Sequence, residues 1–341
     1  MRKAGFEIVL GVDNDERCAT SHRQNFVGAT FYLGSVSTFV DDLAKGSVGA
    51  LAGKPIDLLV GGPPCPPYSK SRFYRKDKPR ALNDDVGWVT MNGYLDTLDL
   101  LRPRAFLLEN VAGFAYKVHR DALEHFRTRA EALGYECVWE ILNAADYGVP
   151  QTRERFFLVG SREGTFKFPS PTHGKAIPDA SGALLPWMTA GEAISDLDTL
   201  ENADDVGHFA GGQHHELLCA IPPGDNYLFF TSKRGHPQPK FEWRSRYWSF
   251  LLKLSPDMPS WTIQARRSNN MGPFHWRNRI LRIEEVKRLQ TFPDDWELVG
   301  TVEQQWRQVG NAVPPLLAET LARALAEHLG LPAQTDLARA A

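Results

Sequence analysis

The chain has 341 residues, 43% of them hydrophobic and 23% charged, with a formal net charge of -2. That composition excludes an intrinsically disordered chain and suits one large domain plus a smaller one, at roughly 100–200 residues per domain. No stretch approaches the roughly 18 consecutive apolar residues of a membrane span, and Met1-Arg-Lys-Ala-Gly-Phe-Glu-Ile8 lacks a signal-peptide h-region, so a cytoplasmic protein is expected.

In chain order, Glu7-Ile-Val-Leu-Gly-Val-Asp13 is a short apolar run ending on an acid, and Pro55-Ile-Asp-Leu-Leu-Val-Gly61 and Ala105-Phe-Leu-Leu-Glu109 have the same form. Runs of this kind suit strands buried on both faces of a parallel sheet. Helical patterns lie between and after them, at about Asp15–Asn25, Gly87–Leu101 and Asp121–Leu133, and Cys137–Leu142 and Arg155–Gly160 read as two more strands. The alternation predicts an open α/β sheet with right-handed crossovers. Functional residues in such sheets gather at the carboxyl ends of strands, where Asp13, the Gly61–Ser69 loop and Glu109-Asn110 all fall.

Beyond Phe166 the periodicity weakens and Pro, Gly, His and Asn become frequent. The aromatics Trp187, Phe229, Phe230, Trp243, Tyr247, Trp248 and Trp261 favour a folded, functional region over a disordered one. Helical spacing returns at Ile283–Gln290, and a last helix is expected at about Pro315–Leu329 with Leu316, Leu317, Thr320, Leu321 and Leu325 on one side. The expected division is 1–165 as a first domain, 166–278 as a loop-rich region, 279–330 as a return to the first domain, and 331–341 as a tail.

Cys18, Cys65, Cys137 and Cys219 are far apart and match no Cys-x-x-Cys spacing, which argues against zinc and a disulfide framework; no metal is expected. Cys18 and Cys137 fall in segments that read as packed helix and strand, where a buried, inert thiol is expected. Cys65 lies among prolines and glycines in Gly61-Gly-Pro-Pro-Cys-Pro-Pro-Tyr-Ser69, where no regular element can run. Directly after it, Lys70–Arg80 carries six cations against one anion, and further basic clusters with interleaved aromatics span Lys233–Arg246 and Arg266–Arg282. Most charge runs are solvated surface; three basic-aromatic clusters, one beside the unusual cysteine, favour phosphate contact.

Methylating carbon 5 of cytosine needs a nucleophile on carbon 6, for which a thiolate is well suited. Charge then lands on the ring, and N3 needs a proton or strong hydrogen bond that a carboxyl group of raised pKa beside an arginine can supply. The parts occur in order: Cys65 after a strand, Glu109-Asn-Val111 ending the next, Gln151-Thr-Arg153-Glu-Arg155 opening a later one, and Gly310-Asn-Ala-Val-Pro-Pro315 before the terminal helix. Arg153 and Arg155 on alternate positions would share one side of a strand.

These segments, with Asn143-Ala-Ala-Asp-Tyr-Gly-Val-Pro150 and Leu281-Arg-Ile-Glu-Glu-Val-Lys-Arg-Leu-Gln-Thr-Phe-Pro293, resemble the cytosine-C5 DNA methyltransferase family over nearly the whole chain. The resemblance implies a Rossmann-like, S-adenosylmethionine-dependent methyltransferase sheet, with the loop-rich stretch as a target-recognition domain and double-stranded DNA as substrate. It implies that Cys65 is the nucleophile, that Glu109 contacts N3 and the exocyclic amine, and that Arg155 orients the cytosine. Arg153 would hold the catalytic loop or a phosphate, with a purely structural ion pair equally open. The cofactor would meet Asp13 at its ribose hydroxyls, Asn14, Ser35, Pro64, Asn311 and Val313. The DNA would meet Ser69, Lys70, Arg72, Gln151 and Arg266, with the target base flipped out of the duplex. A cognate restriction endonuclease is a possible functional partner; a tRNA-methylating enzyme and a non-catalytic DNA-binding remnant are the alternatives.

The family's Phe-x-Gly-x-Gly-Gly loop has no counterpart here. Its strand belongs between those ending at Asp13 and Gly61, so a sheet lacking that strand, with two unpaired edges, is expected. A shortened gene model, a split enzyme and a degenerate gene all fit that departure. Pro66 stands where the family usually has Gln after the cysteine, a variation it tolerates. Ser35 stands where an acidic residue is expected near the adenine, which weakens adenine recognition.

Overall fold

The computed structural model describes residues 1–64, 85–175, 184–199, 210–244 and 247–332, the Asp85 side chain excepted. Cys65, Ser69, Lys70 and Arg72 lie outside the described residues. The chain forms two compact units: Met1–Asn143 with Glu154–Ser170 and the chain from Ala318 onward, and Ala144–Arg153 with Pro171–Leu317.

In the first unit, β1 (Leu10–Asp13) leads through α1 (Glu16–Asn25) to β2 (Thr30–Leu33), and α2 (Val36–Ala44) leads on to β3 (Leu58–Gly61). Then follow α3 (Asp85–Leu101), β4 (Ala105–Val111), α4 (Arg120–Ala132), β5 (Glu136–Asn143) and β6 (Glu154–Ser161). Local chemistry starts the helices. The Asp15 carboxylate accepts the Arg17 N–H at 2.9 Å, and the Ser35 hydroxyl accepts the Thr38 N–H at 3.1 Å, each meeting a donor that has no partner within its helix.

Among the described residues the strands form separate sheets. β1 and β2 pair in parallel, Leu10 opposite Thr30 through Asp13 opposite Leu33. The other sheet has the order β3-β4-β6-β5, with β3 parallel to β4 and β6 antiparallel to both β4 and β5. The sheet is therefore mixed, where the apolar runs alone suggested parallel pairing. β4 is central and buried from Ala105 to Asn110, and Phe106 packs edge-on against Phe126 and Tyr135. β1 and β3 carry the exposed residues Val12 and Val60. The break between them falls where the missing strand was expected.

The second unit is poor in regular structure. It has two-residue strands β7 (His173–Gly174) and β8 (Leu185–Pro186), and helices α5 (Ala190–Ile194), α6 (Ile283–Leu289) and α7 (Val302–Asn311). α8 (Pro315–His328), which belongs to the first unit from Ala318 onward, buries Leu317, Leu321 and Leu325, while Leu316 is exposed. The core of the second unit collects Leu251, Leu254, Ile263, Phe274, Val286, Leu289, Trp306 and Val309.

The unit boundaries differ from the expected divisions at 165 and 278. Ala144–Arg153 and residues 279–317 group with the irregular region, because Ile280, Leu281, α6 and α7 contribute their apolar faces to its core. The first strand was expected from Glu7 but starts at Leu10, after a 3-10 turn at Arg2–Ala4 closed by Gly5 at φ 92°. Cys18 and Cys137 are half-buried rather than buried, and burial pushes their thiols up to about 11 and about 12. No described helix is long and apolar enough to cross a membrane.

Candidate active site

Within the first unit, two strand ends and one strand start converge. β3 delivers Gly61-Gly-Pro-Pro64, the stem leading directly into Cys65, and β4 delivers Glu109-Asn110-Val111. Glu109 lies opposite Phe157 in the antiparallel ladder and Arg155 opposite Val111, so the carboxylate and guanidinium stand on one face as diagonal neighbours. Arg155 Nε is 3.1 Å from Glu109 Oε1, with side chains only 13% and 10% exposed. In that sheltered position the ion pair fixes the carboxylate's orientation more firmly than an exposed pair would. Arg155 also donates from Nη1 to the Glu154 carbonyl at 2.8 Å.

The stem is held against this pair. The Asn110 side-chain amide donates to the Pro63 carbonyl at 3.3 Å, while its Oδ1 accepts the Val111 N–H at 2.9 Å. Asn110 is fully buried, so it ties the chain two residues before Cys65 to the residue after Glu109. At Gly62 a Cβ would lie 3.0 Å from Glu109 Oε2; glycine lets this backbone run past the carboxylate. Sequence reading named the cysteine and the glutamate but not Asn110 or Gly62 as their link. The adjacent pairs Glu109-Asn110 and Gly61-Gly62 were the available signal.

Asp13 and Asn14 are exposed at the end of β1, beside a shallow depression lined by Asn14, Asp15, Glu16 and Arg17. One Asp13 carboxylate oxygen accepts the Asp15 N–H at 2.9 Å. An exposed carboxylate held in one rotamer is the acceptor that the two hydroxyls of a ribose diol need, so the residues fit the nucleoside end of S-adenosylmethionine. Ser35 is exposed and engaged as the cap of α2, and Pro64 is exposed at the end of the β3 stem.

In the second unit, Gln151 and Arg153 are both fully buried. Arg153 is not on β6, which begins at Glu154, so the expected shared side with Arg155 does not form. Its guanidinium donates to the carbonyls of Ile263 at 2.9 Å, Gly310 at 2.6 Å and Ala312 at 3.2 Å. Gln151 accepts the Ile263 N–H at 2.9 Å and donates to the Leu289 carbonyl at 3.2 Å and to Gln290 Oε1 at 3.1 Å. Gln290 in turn donates to the Val309 carbonyl at 2.8 Å. The Gln-Thr-Arg segment therefore bolts together residues 260–263, the end of α6 and the Gly310–Ala312 turn, through backbone groups and the Gln290 side chain. At Gly310 a Cβ would lie 2.6 Å from the Gln264 carbonyl oxygen, so only glycine fits the crossing.

Asn311 and Arg266 are exposed, and Val313 is half-buried. The same unit exposes Trp243 beneath Lys233, whose Nζ is 4.1 Å from the ring centroid, and a Trp248–Trp261 pair with centroids 5.3 Å apart.

Comparison with known proteins agrees with this chemistry. The Type II methyltransferase M.SacI of Streptomyces achromogenes is 36% identical over 337 residues, 95% of this chain and 85% of that protein. M1.HphI of Haemophilus parahaemolyticus is 30% identical over 342 residues, 95% of this chain and 82% of that protein. Among solved structures, a protein described as a DNA modification methyltransferase encoded within an E. coli prophage superposes with a TM-score of 0.68 at 20% identity, covering 96% of this chain and 94% of that one. A Spodoptera frugiperda DNMT2 variant gives 0.61 at 16% identity, covering 96% and 94%; both show a shared fold. A model of the C-5 cytosine-specific DNA methylase family matches residues 1–327, and the chain belongs to that family.

Proposed function

We propose that this DNA (cytosine-5-)-methyltransferase attacks its target base through Cys65, with Glu109 and Arg155 as the base-binding pair and a restriction-modification system as its setting. The observation that carries the reading is the tie from Asn110 to Pro63, which brings the stem of the Cys65 loop against the carboxylate paired with Arg155. The two relatives above are named as Type II methyltransferases, which supports the setting.

The Cys65 thiolate forms a bond to C6 of an extruded cytosine, and the C5–C6 π electrons move into the ring toward N3. Glu109, in its protonated form, gives its proton or a strong hydrogen bond to N3 at the moment charge arrives there, while Arg155 keeps the carboxyl group aimed. When bound, S-adenosylmethionine would supply the methyl group to C5 and leave as S-adenosylhomocysteine; Asp13 would hold its ribose, and Asn14, Ser35, Pro64, Asn311 and Val313 would complete the proposed cofactor set. A base then takes the C5 proton, and the sulfur leaves C6 to restore the aromatic ring. Arg153 and Gln151 act as positioning residues, fixing the Gly310–Val313 turn. The exposed Arg266, the Lys233–Trp243 stack and the Trp248–Trp261 pair are proposed to read the duplex together with Ser69, Lys70 and Arg72.

Tritiated methyl transfer from S-adenosylmethionine to duplex DNA, with tRNA as the competing acceptor, tests this reading. Incorporation at cytosine C5 of DNA, lost in Cys65→Ser, is expected. Incorporation into tRNA alone, or transfer unaffected by Cys65→Ser, would contradict it.

A further inference from the structure

The second unit exposes Arg234 in a fixed attitude. Asp225 grips the end of its guanidinium with two hydrogen bonds, from Nη1 to Oδ1 at 3.1 Å and from Nη2 to Oδ2 at 2.8 Å. Asp225 is itself anchored: its N–H donates to the Pro222 carbonyl at 3.1 Å, its carbonyl accepts the Lys253 N–H at 2.9 Å, and its Oδ1 also accepts the Asn226 N–H at 2.8 Å. Arg234 ends the short 3-10 turn Ser232–Arg234, which starts from the buried Thr231 and is closed by Gly235 at φ 77°. With both partners held, little conformational freedom is left to lose when a third group docks.

The clamp leaves donors unspent. A guanidinium has five N–H bonds and Asp225 takes two, so Nε–H and one hydrogen on each Nη have no acceptor among the described residues. The Arg234 side chain is 49% exposed against 19% for Asp225, so the open edge of the fork meets solvent. Arg288 shows the opposite case: Asp294 takes its Nε and Nη2 and Asp196 its Nη1, which engages every nitrogen. Exposed ion pairs add little to stability, so stability does not account for the clamp on Arg234. Asp225 offsets the charge of Arg234, which weakens its pull on a phosphate but keeps its directed hydrogen bonds. What suits such an edge is a neutral group with two adjacent acceptors. In the major groove guanine presents that pair, N7 and O6, whereas adenine sets an acceptor beside a donor and thymine has one acceptor.

The surroundings suit a duplex. Asn226 Nδ2 donates to the Trp248 carbonyl at 2.6 Å, and the Tyr227 hydroxyl donates to the Arg244 carbonyl at 2.6 Å. The turn that carries the clamp therefore also holds the exposed aromatics Tyr247 and Trp248. Tyr227–Trp248 carries five Lys and Arg against one acid, Glu242, and the exposed Lys240 and Arg244 supply the charge that a phosphate backbone requires.

We propose that Arg234 is a specificity-determining residue, donating two hydrogen bonds from the edge left open by Asp225 to N7 and O6 of one guanine in the target sequence. Asp225 is its positioning residue, aiming the fork and offsetting its charge. The assignment rests on duplex DNA being the substrate, as proposed above.

The test is selection of bound DNA from a randomised duplex pool by the full chain and its variants, read by sequencing, so that it does not depend on methyl transfer. The unaltered chain is expected to enrich a sequence containing a fixed guanine that Arg234→Ala and Arg234→Lys no longer require. Discrimination at that position should fall about tenfold or more while the other positions hold. A duplex with 7-deazaguanine at that position, which lacks the N7 acceptor, should bind the unaltered chain about tenfold more weakly, and Arg234→Ala should not distinguish the two duplexes. Asp225→Asn frees the charge, so the salt dependence of binding should steepen by about one counterion while guanine discrimination falls. Unchanged discrimination in Arg234→Ala, or equal weakening across all sequences with a salt slope smaller by about one, would overturn the proposal and leave the duplex-DNA reading standing. Absence of sequence-selective duplex binding by the unaltered chain would overturn both.

Discussion

Glu109 and Arg155 show what a single contact can decide. A carboxylate 10% exposed beside a guanidinium 13% exposed is neither a free surface acid nor a fully desolvated pair. Glu109→Gln keeps the shape and removes the transferable proton, so kcat is expected to fall by about 10²–10⁴-fold with little change in DNA affinity. Single-turnover methylation and a DNA-binding isotherm measured together check this; an equal loss in both would point to a structural role. His275 makes a separate case in the second unit. It is fully buried, its Nδ1 accepts the Arg277 N–H at 3.1 Å, and its Nε2 faces Glu285, which Arg279 grips with two hydrogen bonds of 2.8 and 2.5 Å. Burial pushes the imidazole down to about 4, so the folded state holds it neutral where the unfolded chain titrates near 6.5. Its stability contribution is complete above about 6.5 and is lost as pH falls toward 4, by roughly 1.4 kcal/mol per pH unit. Urea unfolding from pH 7 to pH 4.5 should show a slope about one proton smaller in His275→Gln; an unchanged slope would assign the acid sensitivity elsewhere. The order of motifs brought Glu109 and Arg155 together before the structure paired them, but strand periodicity put Arg153 on the same side as Arg155. They are two positions apart, yet one is spent on backbone carbonyls and the other pairs with Glu109, because β6 starts between them.

At the scale of elements, apolar runs with clean boundaries were the readable ones. β4, α3, α4, β5 and β6 lie within two residues of where periodicity put them. β2 was not recognised, because Thr30-Phe-Tyr-Leu33 is four residues long, partly exposed and bounded on one side only by a strand that also begins late. α7 escaped for the opposite reason: Val302-Glu-Gln-Gln-Trp-Arg-Gln-Val-Gly-Asn311 is mostly polar and buries only Trp306, Val309 and Gly310. Its start is nonetheless marked by a reciprocal cap between Thr301 and Gln304. The end of α7 is also the place where a small change has a large consequence. Gly310 crosses residues 264–265 with no room for a methyl group, and its carbonyl is one of the three that Arg153 grips. Gly310→Ala is expected to destabilise the second unit by about 1–3 kcal/mol through forced displacement. Thermal or urea unfolding measures it directly, and a loss below about 0.5 kcal/mol would contradict a crossing that only glycine fits.

For the whole molecule, the α/β class and the break in the sheet were both legible, since each follows from the order of strands and helices. The grouping of residues 144–153 and 279–317 with the irregular region was not. Their motifs read as parts of a catalytic domain, while the contacts that hold them are long-range: Gln151 to Leu289, Arg153 to Gly310, Trp306 to Gln264. Such pairings, more than a hundred residues apart in two of these cases, leave no local periodicity to read. The family membership rests on the whole chain, whereas the chemistry rests on Cys65. Duplex DNA carrying 5-fluorocytosine at the target position tests that most directly, because fluorine at C5 cannot leave as a proton and the sulfur–C6 bond persists. With S-adenosylmethionine present, mass spectrometry of the digested complex should find the base on the peptide containing Cys65, and Cys65→Ser should form no adduct. An adduct on Cys18, Cys137 or Cys219, or one that survives in Cys65→Ser, would contradict the account.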